Sequence, residues 1–378
     1  MLALVERWKL HRLLVDRIGY FRPFSSGSGV RKVLFLSERG EIPAAQVFPL
    51  FLYARDLMRR RAIEVREYPL TQFLAGRNPY DHSVDAVCFQ TRFDLTRAQL
   101  ENVVARIKLA WPGAQLAYFD WFAPTDLRYA ETLYSHIAAY VKKQTFRDFS
   151  LYGQPTIGDT YLSNYYAKRF NLDLPKVRFE VPAGFEQKIV LGSGFEYSPL
   201  ITRNLTTKPQ LNGRNIDLHA RLSKAHKKKD KIECYGYIRQ EALDKVAELK
   251  SEFAVASDGY VPRRQFFAEL RNSKMCFSPF GYGEICWRDF EAMCTGALLL
   301  KPDVSHLRLV NDPFRPYETY VPLAWDLSDL HEKAEHYRHH SAERETIARN
   351  AFALLSDHLR EKRFLDDVEP LWRLLHLS

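Results

Sequence analysis

The strongest constraint in this sequence is a twice-repeated alternation of short apolar runs with longer amphipathic stretches. The first series starts at Val33–Leu36, a run of the kind a buried parallel strand shows, followed by the polar loop Ser37–Glu41. A helix is predicted over Ala45–Arg60, then strands at Ile63–Tyr68, Ala86–Gln90 and Leu116–Asp120, with a helix over Thr96–Ala110. The second series opens with a strand at Ile216–Ala220 and a helix over Gln240–Ser251. It continues with a strand at Phe253–Ala256, a helix over Pro262–Asn272 and a strand at Met275–Pro279. A helix over Trp287–Thr295 and strands at Ala297–Lys301 and Thr319–Leu323 complete it. Such alternation implies right-handed crossovers and parallel sheets with helices on both faces. An α/β fold of two Rossmann-like domains is therefore expected.

A chain of 378 residues also exceeds the usual size of one core. Between Phe146 and Pro209 the periodicity weakens, which sets the expected domains at 1–207 and 208–378. The stretch Leu327–Leu375 is predicted to be helical and to brace the two domains.

Charge and cysteine usage narrow the function classes. The net charge of +9 suits a polyanion, an anionic membrane surface or a phosphorylated substrate. The five cysteines are an odd number without a C-x-x-C pair, which argues against a disulfide framework or a zinc site and for a reducing, cytoplasmic location. No run approaches the ~20 apolar residues of a membrane-spanning helix. Glu6, Arg7, Lys9 and Arg12 interrupt any signal-peptide centre. Residues 1–22 read as a basic amphipathic helix, for which two uses are open: packing on the first domain, or peripheral contact with an anionic membrane.

The chemistry concentrates between Ser273 and Pro302. An apolar strand runs into Gly281-Tyr282-Gly283, and a helix is expected from Glu284 or Ile285. Glycines at such a turn let backbone approach a ligand, and a helix N-terminus offers N–H groups to a phosphate. Arg288 supplies a fork suited to a diphosphate, and Glu291, one turn on, a carboxylate suited to a ribose diol. On spacing alone, Arg288 and Glu291 fit an intrahelical ion pair equally well.

Ser273-Lys274, Pro279, Gly281, Arg288, Glu291-Ala292 and Gly296 stand in an order that resembles the donor-binding region of GT-B glycosyltransferases. The exostosin-like and bacterial capsule or O-antigen (lipopolysaccharide) branches are the nearest in pattern. The resemblance implies transfer of a sugar from a nucleotide-diphosphate sugar to a glycan or lipid-linked glycan, with no cofactor and no metal. It carries over Glu291 as ribose ligand, Arg288 as diphosphate contact and Gly281 and Gly283 as the donor loop, with Glu284 as a further donor-site residue. The sequence departs from the paired glutamates of many retaining members, because Glu284 follows the glycines and lies seven positions before Glu291. Retention of configuration is therefore not inferred.

A basic residue after the first strand of the second domain is also common in GT-B enzymes, which makes Arg221 and then Lys224 candidates for the donor phosphates. Lys224 to Lys231 fits a solvated or polyanion-binding loop as well. Parallel sheets bind ligands beyond the carboxyl ends of their strands. Asp120 and Glu38 are accordingly the candidate catalytic bases, and Trp121 and Glu41 the candidate acceptor contacts. A basic polyanion- or nucleic-acid-binding protein using Lys224–Lys231 and Arg59–Arg61 is the rival reading. No nucleic-acid-binding motif supports it. A dehydrogenase or methyltransferase is disfavoured because Ser37–Glu41 lacks the G-x-G-x-x-G fingerprint.

Overall fold

The computed structural model describes residues 23–25, 27, 29–78, 80, 84–223, 227–228, 231–232 and 234–377. The basic N-terminal segment and Lys224 lie outside them. The first sheet is built from β1 (Arg31–Ser37), β2 (Ile63–Pro69), β3 (Ala86–Phe89), β4 (Gln115–Asp120), β5 (Ala139–Lys142) and, after the short β6 (Gln144–Phe146), β7 (Ile189–Leu191). Its order is β2-β1-β3-β4-β5-β7, parallel throughout. Val33, Leu34, Phe35 and Leu36 are all fully buried, as a central strand covered on both faces requires.

The expected helix over Ala45–Arg60 is two helices, α1 (Glu41–Leu52) and α2 (Ala54–Arg61), broken at Tyr53. Pro49 inside α1 has no N–H to donate. Tyr53 then turns onto the Phe364 ring, 5.8 Å away, and its hydroxyl donates to the Leu359 carbonyl at 3.3 Å. Helix α3 (Arg97–Ala110) starts at a Thr96/Gln99 capping box.

The second sheet comprises β8 (Ile216–His219), β9 (Val255–Ala256), β10 (Ser273–Phe277), β11 (Leu298–Pro302) and β13 (Val321–Leu323), in the order β9-β8-β10-β11-β13, again parallel. Its site-bearing helices are α4 (Cys234–Leu249), α5 (Arg263–Arg271) and α6 (Trp287–Thr295). Gly296 ends α6 at φ 73°, and a Cβ there would lie 2.6 Å from Pro209 Cβ. Only glycine fits that position.

Two features tie the halves together. Strand β12 (Leu307–Leu309) pairs antiparallel with β6, so that Leu309 lies opposite Gln144 and the two domains share a ribbon. The C-terminal segment also returns: Phe364, Leu365, Val368, Leu371, Trp372 and Leu375 join the core under the first sheet, with Val33, Phe35 and Val47. All five cysteines are free thiols. Among the described residues no helix is long and apolar enough to cross a membrane, and no group of three His, Cys, Asp or Glu side chains is placed to hold a metal ion.

The rival's basic triplet is spoken for. Arg59 pairs with Asp56, Arg60 with Asp366 and Arg61 with Glu369. Carboxylates cancel that patch.

Candidate active site

The carboxyl ends of both sheets meet along one junction, and α6 lies in it. This helix begins at Trp287, as its periodicity predicts, and not at Glu284 or Ile285, because Cys286 is its N-cap. The Cys286 N–H donates to Asp289 Oδ2 at 2.9 Å, and the Ser278 hydroxyl to Oδ1 at 2.6 Å. Lys301 completes the cluster 3.1 Å from Oδ2, with both side chains fully buried. The helix start is thus capped by its own carboxylate instead of standing open to a phosphate.

The glycine loop divides its duties. A Cβ at Gly283 would lie 2.1 Å from the Ala123 carbonyl oxygen, so the close approach that demands glycine is to the first domain's backbone, not to a ligand. Glu284 follows it inward. Its Oε2 accepts from the Thr125 hydroxyl at 3.0 Å, and Oε1 lies 3.8 Å from His306 Nε2. Of the proposed donor residues, Gly283 and Glu284 therefore serve the domain junction. Gly281 stays on the ligand side, with Arg239 Nη2 3.7 Å from where its Cβ would be.

Arg288 and Glu291 sit one turn apart on α6. Arg288 Nη2 donates to the Arg221 carbonyl at 2.5 Å, while its buried Nε has no hydrogen-bond partner among the described residues. Arg239, near the start of α4, faces it: burial, and then the Arg288 charge, pulls the Arg239 pKa down. Two guanidinium groups held together this way concentrate donors and charge where an anion would relieve both. Burial raises the Glu291 pKa to about 7, against the lowering influence of Arg288 and Arg263.

Arg221 does not reach this anion position. Its Nε and Nη2 fork onto Glu269 at 2.5 and 2.9 Å, and its Nη1 reaches the Ser257 carbonyl at 3.2 Å. That fork and the loop carbonyls engage all three nitrogens of the Arg221 guanidinium. Arg239, which no local pattern marks, is the guanidinium that lies near Arg288 and Gly281 instead.

On the first domain, Asp120 ends β4 as predicted but is fully buried. It accepts from the Phe122 N–H at 2.9 Å, the Tyr140 hydroxyl at 2.6 Å and the Lys142 ammonium at 2.7 Å. A carboxylate so enclosed cannot meet an acceptor hydroxyl, which corrects its assignment as base. Trp121 is half-buried, its indole N–H donating to the Thr91 carbonyl at 2.8 Å. Glu38 lies at the open end of β1, and burial raises its carboxyl pKa despite the Arg39 N–H and the Arg92 charge. Exposed Glu41 does not reach toward an acceptor; it pairs across the junction with Arg263 at 2.5 Å.

Residues 214–367 match the family model described as glycosyl transferase-like. The match takes in the whole second sheet and spans less than half of the chain. No curated protein sequence matches. Among solved structures, sucrose-phosphate synthase from Thermosynechococcus elongatus is similar at 11% identity and a TM-score of 0.48, over 92% of this chain and 99% of that one. An alpha-glucosyltransferase in complex with UDP aligns at 11% identity and 0.47, over 90% of this chain and 100% of its own. A glycosyltransferase from Rickettsia africae ESF-5 aligns at 10% and 0.46, over 91% and 99%. Two parallel α/β domains joined along their carboxyl edges form the architecture that the resemblance to GT-B glycosyltransferases implies, and the second of them is glycosyl transferase-like over residues 214–367. The matched segment contains Arg239, Arg288 and Glu291.

Proposed function

We propose that the protein transfers a glycosyl group from a nucleoside-diphosphate sugar to a hydroxyl of a glycan or lipid-linked glycan, without a metal ion. The observation that carries this reading is the buried Nε of Arg288, without a hydrogen-bond partner among the described residues, beside Arg239. A diphosphate laid over both supplies an acceptor to the Arg288 Nε, and the two cations stabilise the charge that develops on the departing diphosphate. Glu291 receives the ribose hydroxyls. Glu38 takes the acceptor proton, burial making its carboxylate more basic than an ordinary one. Half-buried Trp121 and Phe93, whose side chain is 56% exposed, offer rings for the acceptor. Glycan acceptors and the cytoplasmic face of a membrane rest on the motif resemblance together with the basic N-terminal segment.

Calorimetric titration with UDP, GDP and CMP, with and without magnesium, tests the reading. Saturable binding of one nucleotide, unchanged by EDTA and weakened about tenfold or more by Arg239→Ala, is expected for a charge-assisted contact. The absence of binding by any of them would sink it.

The Glu291 carboxyl gives a pH signature. Only its ionised form accepts two ribose hydrogen bonds, so affinity is expected to rise about tenfold between pH 6 and 8 and then level off. Glu291→Gln should flatten that rise. The same raised pKa means its contribution to stability is full below about 4.5 and lost as pH rises through about 7, so donor binding and folding pull in opposite directions here.

A further inference from the structure

The loop between β9 and α5 carries Tyr260, which at 92% exposure is the most solvent-open large hydrophobic side chain among the described residues. Its backbone is fastened from several sides. Arg221 Nη1 donates to the carbonyls of Ser257, Asp258 and Gly259, and Lys250 pairs with the Asp258 carboxylate. Asp258 and Gly259 both hold positive φ, 61° and 69°. The remaining nitrogens of Arg221 fork onto Glu269 of α5, and its own carbonyl accepts from Arg288. One guanidinium therefore ties the exposed ring's loop to α5, while the same residue's backbone fixes the fork of Arg288.

The charges around this loop set a direction. Arg239 and Arg288 mark the diphosphate end, and Glu291 follows one turn along α6. Arg263, at the start of α5 and three residues after Tyr260, comes next, its guanidinium paired with Glu41 across the junction. A nucleoside diphosphate with its phosphates on the arginine pair and its ribose at Glu291 carries its base toward Tyr260.

We propose that Tyr260 is the nucleobase platform of the site and that Arg221 is a positioning residue which holds this platform in register with Arg288. The proposal rests on the donor-site reading above. An exposed ring on a loop ordered beforehand loses little freedom when a base stacks on it. Stacking needs only a π-face, so the platform accepts pyrimidine and purine alike, and the choice of base falls to other contacts.

Titration with UDP, GDP and inorganic pyrophosphate separates the base from the phosphates. Tyr260→Ala is expected to weaken the bound nucleoside diphosphate about tenfold or more, the usual scale for losing one stacked base, and to leave pyrophosphate affinity unchanged. Tyr260→Phe should match the parent protein. Arg221→Lys keeps the charge but not the fork. It should weaken the nucleotide by a similar factor, and the double variant with Tyr260→Ala should be no weaker than either alone. A residue with a merely structural role would instead weaken pyrophosphate as well, or add to the effect of Tyr260→Ala. Unchanged nucleotide affinity in Tyr260→Ala, with Arg288→Ala still deficient, would refute the platform and leave the donor site standing. A parent protein that binds pyrophosphate and no nucleotide would refute both.

Discussion

Asp120→Asn is expected to lower the free energy of unfolding by about 3–5 kcal/mol, the scale for breaking a buried ion pair from one side. The substitution leaves the Lys142 ammonium, fully buried, without its 2.7 Å counter-charge. It also weakens the acceptor used by Tyr140 and by the Phe122 N–H. A shifted urea midpoint at unchanged slope would show this directly. Were Asp120 the acceptor's base instead, the variant would keep its midpoint and lose turnover. The double variant Asp120→Asn/Lys142→Met should recover much of the loss, because it removes the stranded charge.

Arg288→Ala should show the opposite pattern. Removing the guanidinium would delete the charge-assisted contacts proposed for it on the donor diphosphate, an expected loss of at least about 100-fold in kcat/KM and in nucleotide affinity. Folding should be unharmed or slightly improved. The Nε of Arg288 is a buried donor without a partner among the described residues, and its charge presses on Arg239. Thermal unfolding with and without the bound nucleotide reads both quantities at once. An equal nucleotide-induced shift in parent and variant would remove Arg288 from the site.

Much of this architecture can be read along the chain. The strands at Val33–Leu36 and Leu116–Asp120 announce themselves as apolar runs beside polar turns, Ile63–Tyr68 by its alternation of apolar and charged residues, and α6 because Gly296 stops it. Strands β5 and β7 escape the same reading. They are four and three residues long, and β5 ends on Lys142, a charge that looks like a loop until Asp120 is seen beside it. The C-terminal helices are equally visible as helices, yet nothing in their spacing says that Trp372 and Leu371 pack under the first sheet.

The site divides in the same way. Local sequence determined that Gly281, Arg288 and Glu291 share one strand–loop–helix unit, since residues three apart on a helix must face alike. Tertiary structure decided what each polar group touches. It buried Asp120 against Lys142, turned Gly283 and Glu284 to the opposite domain, spent Arg221 on Glu269 and brought Arg239 up to Arg288. Spacing along a helix is fixed by backbone geometry within a few residues. The partner of a buried charge is set by desolvation and by neighbours tens or hundreds of positions away, which no local pattern encodes.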